Sequence, residues 1–229
     1  MEKEKKCIFC NSEIDITDDH IPPKNLFPKP RPSDLITVPC CGECNGSFSK
    51  DDEYFRNILV SCESVCGDVN VMKVNQKFLR SMKRPEARGL KIQMLNSLAI
   101  TNSVSRGGIY LGKKPVMQID AKRLDNTITR IAKGLFYKIN GYCIPGNYST
   151  TMTFDKGEQT PSEFEKQIGP YWEPAQSIGN DIFKYTYAIC NNNPNAMAII
   201  FWFYDKLFFY GIIAPSQQGR EKQASSPIE

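Results

Sequence analysis

The chain has 229 residues, of which 41% are hydrophobic and 24% are charged, and its formal net charge is +4. This composition excludes a mostly disordered chain and a collagen-like one, and the length is sufficient for one or two domains with a hydrophobic core. The mild excess of basic residues is compatible with a nucleic-acid partner without demonstrating one.

Cysteines are concentrated at the N-terminal end, where two C-x2-C pairs occur. Cys7 and Cys10 form the first pair, and Cys41 and Cys44 form the second. Two such pairs predict four thiolates that bind one zinc ion tetrahedrally, in a closed site with a structural role. Cys40 could replace Cys41 as a ligand, which would leave three residues between Cys40 and Cys44. Cys41 is favoured because it gives both pairs the same spacing of two residues.

The segment between the two cysteine pairs contains the only histidine of the chain, His20, directly after Asp19. Asn45 follows the last cysteine of the second pair. An imidazole can remove a proton from water at neutral pH, and carboxylate and amide oxygens suit a hard divalent cation. These residue types therefore match what metal-assisted phosphodiester hydrolysis requires, with Mg²⁺ or Mn²⁺ as the catalytic cofactor.

The order C-x2-C, D-H-x-P-P, S-x-L-I-x-V-P and C-x2-C-N resembles the zinc-bound HNH endonucleases over residues 7–55. The resemblance implies a ββα-metal fold, in which a β-hairpin and a helix surround one divalent ion. It also implies that His20 is the general base and that Asp19 and Asn45 are metal ligands. Asp34 stands where the family has an asparagine that orients the loop and the histidine, and Asn45 stands where a histidine is common.

The activity implied by this resemblance is the hydrolysis of DNA, in a phage, mobile-element or anti-phage defence setting. One site cuts one strand, so a monomer nicks and a dimer can break both strands. RNA is an alternative substrate. A catalytically inactive, zinc-scaffolded nucleic-acid-binding or interaction subunit is the alternative function, and Asp34 is the feature that favours it.

Basic side chains are concentrated in a proline-rich loop and in the segment from residue 73 to residue 91. The density of positive charge in this segment fits contacts with backbone phosphates, without recognition of the base sequence. The alternative is a solvated helix face. The predicted nucleic-acid contacts are Lys24, Lys29, Arg31, Lys50, Lys77, Arg80, Lys83, Arg84 and Arg88.

A first helix is predicted over residues 51–61, with Asp51 and Asp52 in its first turn, where acidic side chains suit the helix dipole. Their alternative role is as extra metal ligands. Residues 73–98 are helical in composition, with an interruption near Pro85, and residues 109–119 predict a hairpin that contains Gly112.

A longer helix is predicted to start after Asp120 and to end near residue 140, before Gly141 as the C-cap. Its apolar residues recur at helical spacing. The basic residues beside this apolar stripe are expected on a solvated face; they are Lys122, Arg123, Arg130, Lys133 and Lys138.

Three strands are predicted over residues 181–190, 195–204 and 207–213, which are rich in aromatic and β-branched side chains. We expect these aromatics to form a core; the alternative is a surface that stacks single-stranded bases. The apolar stretch at residues 196–215 predicts two strands rather than a membrane span, because Asp205 and Lys206 interrupt its centre.

The predicted class is therefore α+β. Residues 1–60 form a zinc-stabilised ββα-metal HNH module, residues 61–145 a mainly helical basic region, and residues 146–215 an antiparallel aromatic-rich sheet. Residues 216–229 are a polar tail predicted to be disordered. The chain shows no secretory signal pattern, which favours a cytoplasmic location. The expected partner is nucleic acid, with a homodimer or a partner protein through the C-terminal region.

Overall fold

A computed structural model describes residues 6–105, 107–154 and 171–216. The side chains of residues 77, 81, 90 and 93 fall outside this description, and so does the predicted disordered tail from residue 217 onward. The structure is of the α+β class, as predicted, with an antiparallel sheet and a cluster of aromatic side chains in the core.

The N-terminal part is a β-hairpin followed directly by a helix. Strand β1 (Ile16–Ile21) pairs antiparallel with β2 (Ile36–Cys41), and helix α1 (Gly42–Ser61) begins at the next residue. The Cys41 thiol accepts a hydrogen bond from the Cys44 backbone N–H at 3.4 Å and so caps the helix. The second C-x2-C pair is therefore the first turn of α1.

This early start of α1 corrects the prediction of a helix over residues 51–61. Asp51 and Asp52 lie in the middle of α1 rather than in its first turn, so the helix-dipole interpretation of these two residues is wrong. The thiol cap at Cys41 replaces the usual Ser, Thr, Asp or Asn cap, and this is why the true start carries no ordinary signal.

The middle of the chain contains both helices and a hairpin. Helices α2 (Val69–Met82) and α3 (Arg88–Asn96) are separated by a short turn that begins at Pro85, which confirms the predicted interruption. Strands β3 (Leu98–Val104) and β4 (Tyr110–Met117) pair antiparallel. The predicted hairpin over residues 109–119 is wrong in extent, because Gly112 lies inside β4 and not in the turn.

Helix α4 (Ala121–Asn140) has the predicted ends. The Asp120 carboxylate accepts from the Arg123 backbone N–H at 3.3 Å, and Gly141 adopts the left-handed conformation with φ of 76°. Both caps follow directly from residue type, because an acidic N-cap satisfies a free N–H and a C-cap glycine tolerates positive φ.

The C-terminal part is a five-stranded antiparallel sheet in the order β5-β9-β8-β7-β6. The strands that were predicted from the sequence are confirmed as β7, β8 and β9, and the sequence did not predict β5 and β6. The bounds are β5 (Tyr148–Phe154), β6 (Gln176–Ile178), β7 (Phe183–Cys190), β8 (Asn193–Phe203) and β9 (Leu207–Pro215).

The two parts of the molecule share a hydrophobic core, because one cluster of buried side chains contains both Ile8 and Ile213. Phe55 of α1 is fully buried, with ring centroids 5.7 Å from Phe203 and 5.8 Å from Phe209. These sheet aromatics are core residues, as expected. Within the described ranges, none of the helices combines the length and apolar content needed to cross a bilayer.

Candidate functional site

The four predicted zinc ligands come together in the structure. The Sγ atoms of Cys7, Cys10, Cys41 and Cys44 all lie within 4.8 Å of one another, and the Cys10 and Cys41 sulfurs are 3.6 Å apart. Four thiolates around one tetrahedral zinc, at a Zn–S distance of about 2.3 Å, have sulfurs about 3.8 Å apart. The donor set therefore fits zinc in both chemistry and spacing.

The structure also resolves the choice between Cys40 and Cys41 in favour of Cys41, as predicted. The Cys40 thiol lies outside the four-sulfur cluster and donates to the Cys41 carbonyl at 3.4 Å, and burial raises its pKa. Burial raises the pKa of Cys7 as well, but backbone N–H donors of Cys41, Phe9 and Cys10 bring it down to about 6. A thiol that loses its proton near neutral pH is prepared for metal binding.

The cysteine cluster fixes the ends of the hairpin that carries the other site residues. The Gly42 N–H donates to the Asp15 carbonyl at 2.9 Å, and a Cβ at position 42 would lie 2.0 Å from the Asp15 carboxylate. A side chain at position 42 would therefore displace the exposed Asp15 carboxylate. One helical turn later, the Asn45 amide donates to the Thr17 hydroxyl at 3.2 Å, so α1 is joined to β1.

Asp19, His20 and Asn45 line one cavity of about 200 Å³ between β1 and α1, so the structure brings the three principal predicted site residues together. Because the Asn45 nitrogen is bound to Thr17, its amide oxygen is the group that can face a cation. Asn45, Ser49 and Asp52 follow one another along a single face of α1. The cavity is also lined by Asp18, Pro23, Lys24 and Asn25.

Asp19 is buried beside a cation from outside the hairpin. Its side chain is paired with Arg130 of α4, at 3.8 Å from Oδ2 to Nε, and Arg130 also donates through Nη2 to the Asp52 carboxylate. The Arg130 guanidinium lies 4.4 Å from the centroid of the Phe48 ring. In the described part of the chain, neither Asp19 Oδ2 nor Arg130 Nε has a hydrogen-bond partner.

The carboxylates of this cluster have perturbed pKa values. Burial raises the pKa of Asp19 above its ordinary value, and the positive charge of Arg130 opposes that rise. Burial likewise raises the pKa of Asp52 to about 6, again opposed by Arg130. Perturbed carboxyl groups that face a cavity are typical of functional sites.

His20 is half-buried at the same cavity. Burial lowers the pKa of its imidazole, the positive charge of Lys24 lowers it further, and the negative charge of Asp19 opposes both. The ring is therefore neutral at pH 7, which is the state in which a histidine can accept a proton.

Asp34, the remaining predicted site residue, lies away from this cavity. Its Oδ2 accepts a hydrogen bond from the Gly179 backbone N–H at 3.0 Å, between β6 and β7. Gly179 has φ of +71°, and a Cβ there would lie 2.3 Å from the Phe27 ring. Asp34 therefore ties the loop between β1 and β2 to the C-terminal sheet.

The predicted nucleic-acid contacts fall into three groups. Lys24 lines the cavity of His20, and its carbonyl accepts from Arg31 Nε at 3.2 Å. Lys29 and Arg80 line a second cavity, described below. The third group lies outside both cavities. The carbonyl of Lys50 accepts a hydrogen bond from Arg123, and Lys83, Arg84 and Arg88 are exposed. The side chain of Lys77 is outside the described part of the structure.

The expectation that Arg130 lies on a solvated face is wrong, since its side chain is only 4% exposed. What buries it is the packing of α4 on α1, which pairs neighbouring acids of α1 with arginines two turns apart on α4. Asp51 binds Arg123 at 2.8 Å, and Asp52 binds Arg130. The sequence alone did not indicate this pairing.

Comparison of the chain with protein-family models, with curated proteins and with solved structures returned no significant match.

Proposed function

We propose that this protein is a zinc-stabilised, metal-dependent HNH-type endonuclease that hydrolyses phosphodiester bonds in DNA. The observation that carries the proposal is the convergence of Asp19, His20 and Asn45 on one cavity beside a four-cysteine cluster. Asp19 and His20 meet Asn45 there, and the resemblance assigns the roles of metal ligands to Asp19 and Asn45 and of general base to His20. The hairpin and helix that carry them have the ββα order that the resemblance implies.

The oxygen donors at the cavity fit a hard divalent cation. Asp19 offers a buried carboxylate whose Oδ2 accepts no hydrogen bond from the described residues, although it is ion-paired with Arg130 at 3.8 Å, and Asn45 offers an amide oxygen. Asp52 adds a third oxygen donor on the same cavity. Mg²⁺ or Mn²⁺ held by Asp19 and Asn45 would withdraw negative charge from the scissile phosphate and from the departing oxygen.

The protein's own residues supply the proton transfer and the positioning. The neutral His20 ring accepts a proton from water while the water oxygen forms a bond to phosphorus. The bond from phosphorus to the 3′ oxygen breaks, and that oxygen takes up a proton from solvent. The products are a 5′-phosphate and a 3′-hydroxyl. Lys24 at the cavity edge faces the negative charge of the phosphate.

A supercoiled-plasmid assay tests this function. We expect nicking that requires added Mg²⁺ or Mn²⁺ and that is lost in His20→Ala, because no other histidine can replace the base. Thr37→Ala is the matched control, since Thr37 lies opposite His20 in the hairpin without lining the cavity, and it should cleave like the wild type.

Two results would overturn the proposal. One is cleavage by His20→Ala at the wild-type rate. The other is no cleavage of plasmid, single-stranded DNA or RNA by zinc-loaded wild type, which would support the inactive nucleic-acid-binding subunit. Competition between DNA and RNA in the same assay decides the substrate, and preferred cleavage of RNA would overturn DNA as the substrate.

A further inference from the structure

A second cavity of about 200 Å³ lies next to the cavity that contains His20. Asn25 lines both of them. Its amide nitrogen donates to the Asp52 carbonyl at 3.0 Å, so Asn25 is fixed to α1 at the boundary between the two cavities. The two cavities therefore share a boundary at Asn25, and a polynucleotide strand bound in the first cavity would lie beside the second.

The second cavity is lined by three basic side chains and by no acidic one. Lys29 comes from the proline-rich loop, and Lys73 and Arg80 come from α2. Arg80 is held in place, because its Nε donates to the Gln76 carbonyl at 3.3 Å. Among the described residues, none of these three cations takes part in an ion pair. The cavity is therefore suited to an anion.

The size and lining of this cavity indicate which anion it takes. The one aromatic side chain that lines the cavity, Phe27, is only 4% exposed. It therefore offers no ring face on which a base could stack. A phosphate group fits this volume, and guanidinium and ammonium groups are its usual ligands in proteins.

We propose that Lys29, Lys73 and Arg80 form a binding subsite for a backbone phosphate next to the scissile phosphate. The inference rests on the proposed endonuclease function and defines its substrate class further. The substrate is a polynucleotide strand that continues beyond the cleaved bond, on the side of Asn25. A phosphodiester with a single phosphate cannot occupy the scissile position and this subsite at the same time.

The test compares two variants that lose the same charges from neighbouring positions. Lys73→Gln/Arg80→Gln removes two cations from the cavity, and Lys83→Gln/Arg84→Gln removes two exposed cations that do not line it. Binding of a fluorescein-labelled 20-nucleotide DNA strand is measured by anisotropy over a range of salt, without added divalent cation. We expect the slope of log affinity against log salt to fall by about 2 for the first variant and by less than 1 for the second.

Hydrolysis supplies the second readout. With Mn²⁺, Lys73→Gln/Arg80→Gln should lose about tenfold or more in kcat/KM on the DNA strand. It should retain wild-type hydrolysis of bis(p-nitrophenyl) phosphate, which has only one phosphate. An equal loss on both substrates, or equal salt slopes for the two variants, would overturn the subsite.

Failure of the subsite and failure of the proposed function are distinguishable. If the wild type cleaves nothing but the salt slopes differ as expected, the endonuclease proposal fails and the phosphate subsite stands. If the wild type cleaves DNA but the two double variants behave alike, only the subsite fails. Absence of any DNA binding by the wild type would overturn the subsite.

Discussion

Arg130 is a single cation that holds two acidic side chains in place beside the proposed active site. It is buried between Asp19 and Asp52, and its guanidinium packs on the Phe48 ring. Two carboxylates this close to each other would repel without it, and a buried charge that loses its partner is strongly destabilising. We therefore assign Arg130 the role of a positioning residue that acts through Asp19, the proposed metal ligand.

Replacement of Arg130 tests this role. Arg130→Met should lower the free energy of unfolding by about 3 kcal/mol and abolish plasmid nicking, because Asp19 and Asp52 lose their shared cation. Arg130→Lys keeps the positive charge but not the planar guanidinium group, so it should nick plasmid more than Arg130→Met and less than the wild type. Urea unfolding and the plasmid assay measure the two effects.

The matched control for Arg130 is Arg123, which lies two turns earlier on α4 and pairs with Asp51 in a bridge whose side chains are 23% and 26% exposed. Arg123→Met should cost less than about 1 kcal/mol and leave nicking intact, since partly exposed ion pairs contribute little. Equal losses for Arg123→Met and Arg130→Met would contradict the positioning role.

At the scale of elements, the contact between α4 and β1 decides where Arg130 lies. The two elements touch at Gly134, where a Cβ would lie 2.4 Å from the Ile21 side chain. Ile21 ends the strand that carries Asp19 and His20, and Gly134 follows Arg130 by one helical turn. The absence of a side chain at position 134 thus allows the guanidinium to reach Asp19.

Gly134→Ala should separate α4 from β1. Although alanine is the better helix former, overpacking at this position should destabilise the protein by about 1–3 kcal/mol, and nicking should fall with the loss of the Arg130–Asp19 contact. The control is Gly46→Ala in α1, where no atom lies within 4 Å of the new Cβ, and stability should rise by about 0.5–1 kcal/mol. Thermal unfolding measures the stability of both variants. A shift of the two unfolding temperatures in the same direction would contradict the argument.

Local signals in the sequence were enough to predict the four-cysteine cluster, the caps of α4 and strands β7 to β9. Cysteine spacing, Asp120 before the helix and Gly141 after it are effects of a residue on its own neighbourhood. The start of α1 was missed because a cysteine thiol takes the place of the usual cap residue. The burial of Arg130, in contrast, depends on contacts between distant segments. Helical periodicity places Arg130 at the edge of the apolar stripe, but it cannot indicate which acidic residues another helix brings to it.

Among the described residues, the larger hydrophobic core joins the N-terminal hairpin and helix to the C-terminal sheet. Phe55 fills the space between Phe203 and Phe209, and Asp34 accepts a hydrogen bond from Gly179 on the sheet side. The proposed active site takes Arg130 from α4, which lies outside the N-terminal hairpin and helix that carry the four cysteines. The resemblance to HNH endonucleases covers residues 7–55, whereas the buried surroundings of the site extend across the described chain.

A fragment of residues 1–60 tests this dependence. It should still bind one zinc ion through its four cysteines, because both pairs lie within it. It should unfold without a cooperative transition and should not nick plasmid, since Phe55 and Ile21 lose the surfaces that bury them. Zinc stoichiometry and urea unfolding, compared with the full chain, measure both properties. A cooperative transition in the fragment would contradict the argument.

The single imidazole of the chain makes the proposed base directly visible to spectroscopy. His20 is the only histidine, so its two carbon-bound ring protons give one pair of signals in the proton magnetic resonance spectrum without any assignment work. That pair follows the protonation of the ring at the cavity, free of overlap from other histidines. Purification through a tag without histidine keeps this single pair of signals. His20 then serves as an internal probe of pH, of added cation and of bound nucleic acid.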